Sequence, residues 1–237
     1  WNVLTVERVD PESRTIWFIG NGREDGDPYF RYLYSVNMDE GPSSVRLLTP
    51  DSANHRVSLS PDGRHFVDDA STPTAPGAVV LRDARSGDAV TELERPDISR
   101  LVDAGWRPPI PFTAKARDDS TDLYGLMFVP TALDTTRQYP VVNYIYPGPQ
   151  GGSVGSRSFS PTRNDHQALA ELGFVVVVLD GLGSSSERSR SFHDFYYGNL
   201  GDNTIPDQIA AIRQLAATHP WIDLDRVGTW GHSGGGF

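Results

Sequence analysis

Two serines stand in the pattern Gly-x-Ser-x-Gly, which can place a serine nucleophile on a sharp turn between a strand and a helix. One match centres on Ser153 and the other on Ser233. The motif needs a strand that runs directly into the turn. Pro147 and Pro149 interrupt the approach to Ser153, whereas the strand-like run 226–230 leads straight to Ser233. The sequence therefore predicts Ser233 as the nucleophile and Ser153 as part of a glycine-rich turn.

A serine nucleophile needs a base, and the base needs an acid that orients it. In an open α/β sheet the acid and then the histidine follow the nucleophile along the chain, but the four residues after Ser233 contain no Asp, Glu or His. All six histidines have ordinary structural explanations: His55, His65, His166, His193, His219 and His232. We therefore expect the triad Asp and His to lie beyond residue 237. A serine without its base loses most of its rate, so we expect the chain alone to be inactive.

Residues 1–95 contain apolar runs separated by turn residues, a pattern typical of short β-strands. The predicted strands are Val3–Val9, Thr15–Ile19, Tyr32–Val36, Val45–Leu48, His55–Leu59, His65–Val67, Val79–Asp83 and Val90–Leu93. They form two similar sets of four, and a repeat in the forties with four strands per unit is typical of propeller blades. The sequence predicts an all-β propeller portion of two four-stranded blades. It is incomplete, because propellers typically carry four to eight blades.

A proline-rich linker is predicted at 96–111, and strands alternate with helices in 112–237. The predicted strands are Phe112–Ala116, Leu123–Val129, Val141–Tyr146, Phe174–Asp180 and Arg226–Trp230, and the predicted helices are Asn164–Leu172 and Pro206–Thr218. Asn164 is a plausible N-cap. The stripe Ile205, Ile209, Ile212 and Ala216 is the expected apolar face of the second helix. This alternation favours a mostly parallel sheet that helices cover on both faces.

Composition excludes several classes of function. The net charge of −10 disfavours nucleic acid as a partner. The sequence has no cysteine, which excludes disulfides and cysteine-ligated metals. Its longest apolar run is far shorter than the roughly 20 residues of a membrane-spanning helix, and no signal segment opens the chain. The protein is therefore either cytoplasmic or lacks its original start, and no membrane span is predicted.

No cofactor or metal is predicted, because the acidic pairs lack a calcium-loop spacing and no phosphate-binding or dinucleotide fingerprint is complete. The pairs Glu24–Asp25, Asp68–Asp69 and Asp118–Asp119 are expected in solvated turns. Asp180 ends a predicted strand and precedes the nucleophile along the chain, which favours a role in ordering a loop over that of the triad acid.

Several spaced motifs together resemble the prolyl oligopeptidase family, in its dipeptidyl peptidase IV branch, over nearly the whole chain. They are the blade strands, the proline-rich crossover, and the segments 144–150, 179–184, 207–209 and 230–235. The resemblance implies that 112–237 is the first half of an α/β-hydrolase domain, incomplete at its C-terminal end. It also implies an oxyanion hole formed by the Tyr146 hydroxyl and the backbone N–H of Gly234.

The implied activity is that of a serine peptidase, releasing N-terminal dipeptides of the Xaa-Pro type from peptide substrates. His232 and Gly234 depart from the branch, which usually carries Trp and Tyr beside the serine. The glutamate pair that binds a substrate's amino terminus belongs to an earlier propeller segment. The resemblance alone suggests a periplasmic or secreted protein and a homodimer.

Two other interpretations remain open. One is a carboxylesterase or another acyl hydrolase on the same sheet, because the serine motif does not distinguish amides from esters. The other is a non-catalytic propeller module that binds partners. In every case the last strand should form a hydrophobic sheet edge. We expect the rest of the same polypeptide, or other copies, to cover it, and the chain alone to be poorly soluble.

Overall fold

Unit 1 contains two antiparallel sheets of four strands each. In the computed structural model, which describes residues 1–236, it comprises Trp1–Ile98 with Arg157–Phe159, and the rest of the described chain forms unit 2. The first sheet holds β1 (Asn2–Asp10), β2 (Thr15–Asn21), β3 (Arg31–Asn37) and β4 (Arg46–Leu47); the second holds β5 (Asn54–Leu59), β6 (His65–Thr72), β7 (Ala75–Asp83) and β8 (Ala89–Glu94). A 3₁₀ turn, Gly41–Ser44, precedes β4. Strands pair in chain order in both sheets, so the prediction of two four-stranded blades is confirmed.

The alternation of side chains along β2 buries both faces of the first sheet. Trp17 and Ile19 face a cluster that includes Phe66 of the second sheet, while Phe18 faces an aromatic cluster on the other side. The indole N–H of Trp17 donates to the carbonyl oxygen of Ala84 over 2.8 Å. The two blades of unit 1 therefore share one core.

The prediction that Asp68 and Asp69 occupy a solvated turn is wrong, because both lie within β6. Asp68 is fully buried. Its Oδ1 lies 2.8 Å from Nδ1 of His55, and its Oδ2 accepts from Nε of Arg82 over 2.9 Å. Arg82 also pairs with Asp51. These partners come from other strands and offset the cost of burying the carboxylate.

The other two acidic pairs do lie in turns. Asp118 and Asp119 are exposed, and Asp119 has a positive φ of 54°. Asp25 is also exposed, but Glu24 is partly buried and accepts from the Tyr34 hydroxyl over 3.0 Å. Burial and the neighbouring Glu24 carboxylate raise the pKa of the Tyr34 phenol.

Unit 2 is built on one five-stranded sheet in the order β13-β11-β12-β10-β9. Its strands are β9 (Ile110–Lys115), β10 (Asp122–Phe128), β11 (Tyr139–Tyr144), β12 (Val175–Leu179) and β13 (Ile222–Trp230); its helices are α1 (Ser99–Asp103), α2 (His166–Glu171), α3 (Arg190–His193) and α4 (Ile205–Thr218). The predicted linker, 96–111, contains α1 and the start of β9. β11 is parallel to β12 and β13, whereas β10 is antiparallel to β9 and β12.

β12 is buried on both faces, as its run of valines predicts. Val175 and Val177 belong to the cluster that includes Ile212 of α4. Val176 belongs to the opposite cluster, which includes Ala170 of α2. The two helices therefore cover opposite faces of the sheet, as expected for an α/β unit. With the two blades of unit 1, this confirms the predicted fold class.

Both predicted helices form, but two details of the prediction are wrong. Asn164 has a φ of 46° and precedes the N-cap, which is Asp165, so α2 begins two residues later than predicted. Ile205 and Ile209 are exposed. The buried residues of α4 are instead Asp207, Gln208, Ala211, Ile212 and Leu215. Gln208 has partners in the sheet and Asp207 has partners in the loops after β9 and β12, which apolar periodicity does not reveal.

β13 lies at the edge of the sheet and pairs with β11 alone among the strands of residues 1–236. Leu224 and Val227 along it are exposed, at 47% and 44%. The predicted hydrophobic edge is therefore present in the structure. Within the described residues, no helix has the length and apolar character needed to cross a bilayer.

Candidate active site

The parallel pairing of β11 and β13 brings two chemically important loops to the same edge of the sheet. Tyr144 lies opposite Trp230 in the register, and the Ile145 N–H donates to the Trp230 carbonyl oxygen over 3.1 Å. Parallel neighbours end at the same edge, where ligands of open α/β sheets bind. Tyr146 follows β11 by two residues and Ser233 follows β13 by three.

The chain reverses sharply at Ser233, which has a positive φ of 56°. This is an uncommon backbone conformation for a residue other than glycine, and such residues concentrate at functional sites. A Cβ atom at Gly231 would lie 2.4 Å from the Ile145 carbonyl oxygen, and one at Gly235 would lie 2.1 Å from it. A 3₁₀ turn, Ser233–Gly236, follows directly. Strand, tight turn and helical turn occur in the order that the motif predicts.

Tyr146 lies beside this turn. A Cβ atom built on Gly234 would be 3.8 Å from Cε2 of the Tyr146 ring and 3.9 Å from its Cζ. Tyr146, Ser233 and Gly234 line one cavity of about 270 Å³, together with Gln150, Tyr196 and Asn203. Ser233 is exposed, so its hydroxyl is open to a ligand. The structure thus brings together the three site residues predicted from the sequence.

Ser153, the other serine of a Gly-x-Ser-x-Gly pattern, has a structural role. It is buried, and its Oγ accepts the backbone N–H of Tyr146 over 2.8 Å. Its own N–H donates to Oδ1 of the buried Asp180 over 2.5 Å, and the Val154 N–H donates to the same oxygen over 3.2 Å. Gly152 permits this approach, since a Cβ there would lie 2.4 Å from that oxygen. These contacts confirm that Ser153 is a turn residue and that Asp180 orders a loop.

Sequence analysis missed a second buried network, which holds the turn after β12. Asp207 of α4 is fully buried and accepts from the Leu182 N–H over 3.0 Å and from Nε of Arg117 over 3.1 Å. Its neighbour Gln208 accepts from Nδ2 of Asn143 over 2.9 Å. The signal was a polar Asn143 inside the otherwise apolar run of β11. A lone amide in such a run points to a partner on a covering element.

The histidines have partners or surroundings of their own. The ring of His166 is buried, 5.1 Å from the ring of Phe128 and 4.9 Å from that of Tyr144. Burial lowers the pKa of His166 to about 4. His55 pairs with Asp68 inside unit 1. Throughout residues 1–236, no histidine is hydrogen-bonded to Ser233.

Comparisons with known proteins agree with these features. Residues 159–237 match the prolyl oligopeptidase family, and residues 1–77 match the dipeptidyl peptidase IV (DPP IV) N-terminal region. The chain is 32% identical to dipeptidyl peptidase 8 of Homo sapiens over 247 residues, covering 100% of this chain and 27% of that protein. It is 28% identical to venom dipeptidyl peptidase 4 of Vespa velutina over 245 residues, covering 99% of this chain and 30% of that protein.

The crystal structure of dipeptidyl peptidase 4 from Porphyromonas gingivalis is also similar. It has a TM-score of 0.79 and 25% identity, over 99% of this chain and 32% of that one. The chain thus spans 27% to 30% of the length of the two curated relatives. Both units, the serine turn and these likenesses agree: residues 159–237 belong to the prolyl oligopeptidase family, residues 1–77 carry the DPP IV N-terminal region, and together they are those of a dipeptidyl peptidase IV-like fragment.

Proposed function

We propose that the whole protein is a serine dipeptidyl peptidase that releases N-terminal dipeptides through an acyl-enzyme on Ser233. The observation that carries the proposal is the single cavity shared by Tyr146, Ser233 and Gly234. The names of the relatives, dipeptidyl peptidase 8 and venom dipeptidyl peptidase 4, support peptides as the substrate class.

In this proposal the Ser233 Oγ attacks the scissile carbonyl carbon while a histidine base takes the hydroxyl proton. The carbonyl oxygen becomes an oxyanion that accepts hydrogen bonds from the Tyr146 hydroxyl and the Gly234 N–H. Donors fixed in advance stabilise this charge, and removal of one typically costs 10²–10³ in kcat. The C–N bond then breaks, the amine takes the proton from the histidine, and water releases the dipeptide from Ser233 by the reverse sequence.

None of residues 1–236 is proposed as the catalytic base or as the acid that orients it. The resemblance to the family implies an Asp and then a His beyond residue 237 in the whole protein. The chain expressed alone is therefore expected to hydrolyse no peptide. An active preparation of residues 1–237 would contradict this expectation.

The substrate preference for Xaa-Pro dipeptides is part of the proposal and rests on the family resemblance. A panel of dipeptide amides with free amino termini, matched amides with acetylated amino termini, and simple esters tests it in the whole protein. We expect cleavage of free Xaa-Pro amides and no cleavage of the acetylated ones. Faster turnover of esters than of every amide would favour the alternative, an acyl hydrolase of another class.

Covalent labelling tests the nucleophile itself. A fluorophosphonate should modify the whole protein at Ser233, and Ser233→Ala should abolish both labelling and peptide cleavage. Labelling at another serine, or cleavage that survives in Ser233→Ala, would refute the assignment. An unlabelled but folded protein would favour the alternative of a non-catalytic propeller module.

The exposed edge of β13 suggests that another segment covers this strand in the whole protein. Leu224 and Val227 present apolar side chains along a strand whose outer side is unpaired among the described residues. Such an edge promotes association, so we propose that the rest of the polypeptide or a second copy, as in a homodimer, covers it. Light scattering of the whole protein and of residues 1–237 tests this; a monodisperse, monomeric short chain would contradict it.

A further inference from the structure

A hydrogen bond within the loop after β11 joins two residues of the cavity wall. Nε2 of Gln150 donates to the hydroxyl oxygen of Tyr146 over 2.6 Å. Gly148 lies between them in the chain and permits this fold-back. A Cβ atom at Gly148 would lie 2.7 Å from Cε1 of Tyr146 and 2.9 Å from Oε1 of Gln150. Only glycine at this position leaves room for the amide to lie against the phenol.

The two edges of the Tyr146 ring face different parts of the protein. The Cε1 edge faces the loop, where Gly148 and the Gln150 amide lie, and a Cβ at Gly151 would be 3.8 Å from it. The Cε2 edge faces Gly234, at 3.8 Å from a Cβ placed there. One edge thus faces the Gln150 amide and the other faces the nucleophile turn.

A phenol O–H lies in the plane of its ring because the oxygen conjugates with the ring. Its proton therefore points toward one edge or the other, while the oxygen accepts on the free side. A donor at the Cε1 edge occupies the acceptor position there, so the proton takes the Cε2 side. A hydrogen bond donated to the oxygen also polarises the O–H and makes it a stronger donor.

We propose that Gln150 is a positioning residue that holds the hydroxyl proton of Tyr146 toward the side of the ring where Gly234 and Ser233 lie. This inference rests on the proposed function, in which that proton stabilises the oxyanion. Although Gln150 lines the cavity, it acts on the reacting group through Tyr146, so it contributes mainly when charge develops on the substrate oxygen. Its removal should lower kcat and leave KM nearly unchanged.

Two variants of nearly equal length separate donation from packing in the whole protein. Gln150→Met keeps the side-chain length and removes the donor; we expect kcat to fall about fivefold to tenfold, with KM within about twofold. Gln150→Glu places a carboxylate that accepts the phenol proton and turns it away from the cavity. We expect this variant to lose more activity than Gln150→Met at pH 8.

The pH profile gives a readout that a structural role would not move. A protonated carboxyl donates as the amide does, so the activity of Gln150→Glu relative to the unmodified protein should rise as pH falls toward about 4.3, the ordinary carboxyl pKa. The ratio for Gln150→Met should stay flat over the same range. Gln138→Met, at an exposed glutamine before β11, is the control and should match the unmodified protein.

A double-mutant cycle with Tyr146→Phe decides the inference. Gln150→Met should lower kcat in the unmodified protein and have no further effect in Tyr146→Phe. Equal losses in both backgrounds, or unchanged kcat in Gln150→Met, would overturn the positioning role. If Tyr146→Phe loses activity and the Gln150 variants do not, this inference alone fails. If Tyr146→Phe keeps full activity, both the positioning role of Gln150 and the oxyanion role of Tyr146 in the proposed function fail.

Discussion

The hydroxyl oxygen of Ser153 accepts the backbone N–H of Tyr146 over 2.8 Å, so a buried serine holds the start of the loop that carries the proposed oxyanion donor. Ser153 is in turn fixed by the carboxylate of Asp180 at the end of β12. The loop after β11 is therefore tied to the neighbouring strand of the sheet rather than left to solvent.

Ser153→Ala should impair both stability and catalysis in the whole protein. The Tyr146 N–H would lose its partner in a partly buried place, which typically costs about 1 kcal/mol or more. A small displacement of the phenol should lower kcat by roughly tenfold or more. Urea unfolding and steady-state kinetics measure the two effects. Ser186→Ala, at an exposed serine, is the control; equal behaviour of the two variants would contradict the role of Ser153.

Gly231→Ala should disrupt the nucleophile turn, because the new methyl group would lie 2.4 Å from the Ile145 carbonyl oxygen. We expect a loss of more than about 2 kcal/mol in the free energy of unfolding, together with loss of fluorophosphonate labelling. Gly228→Ala is the matched control in the same strand, since a Cβ there meets nothing within 4 Å. A change of less than about 0.5 kcal/mol is expected for it. Fluorophosphonate labelling of Gly231→Ala at the level of the unmodified protein would contradict this prediction.

Stability should fall in mild acid because of His166. Burial lowers its pKa from 6.5 to about 4 in the folded protein. The unfolded chain therefore binds a proton at a higher pH than the folded one does. The contribution of His166 is complete above pH 6.5, declines as pH falls and levels off below about pH 4, a total on the order of 3 kcal/mol.

The variant His166→Phe checks this assignment, since it keeps an aromatic ring between Phe128 and Tyr144 and cannot titrate. Free energies of unfolding measured from pH 8 to pH 4 should decline less steeply for the variant. Parallel curves for the two proteins over this range would show that His166 is not the titrating group.

Asp207→Ala should be far more damaging than Asp202→Ala, although both carboxylates contact Arg117. Asp207 is fully buried, and its loss leaves the backbone N–H groups of Leu182 and Arg117 without their acceptor, although the Arg117 guanidinium keeps Asp202 as a partner. Each buried donor left unpaired typically costs about 1–3 kcal/mol. Asp202 is 47% exposed at its side chain, and such pairs are worth about 1 kcal/mol or less. Thermal denaturation compares the two variants, and equal midpoints would be inconsistent with the network.

Local sequence patterns were sufficient for the strands and for the two longer helices, α2 and α4, but not for the short helices α1 and α3. They also distinguish the turn of Ser233, which a strand enters directly, from the turn of Ser153. The valine run of β12 predicts a strand buried on both faces, and the strand leading to Ser233 separates it from Ser153. These signals are local, because strand periodicity and proline interruptions act within a few residues.

Long-range polar pairing was not predictable in the same way. Asp68 looks like a turn residue in the sequence, but His55 and Arg82 from other strands make its burial favourable. Asp207 and Gln208 occupy the buried face of α4 for the same reason, which displaces the apolar stripe expected there. A single sequence does not show which distant donor meets a given carboxylate.

The carbonyl oxygen of Ile145 lies directly against both Gly231 and Gly235. Tyr146 follows Ile145 in the loop after β11, and the Ile145 carbonyl oxygen packs beneath the turn that carries Ser233 after β13. Because this one contact supports both loops, we expect heating to displace the Ser233 turn and the Tyr146 phenol together, not one without the other. Heat inactivation of the whole protein should accordingly follow a single kinetic phase. No partly inactivated intermediate should accumulate that still reacts with inhibitors but hydrolyses substrate slowly.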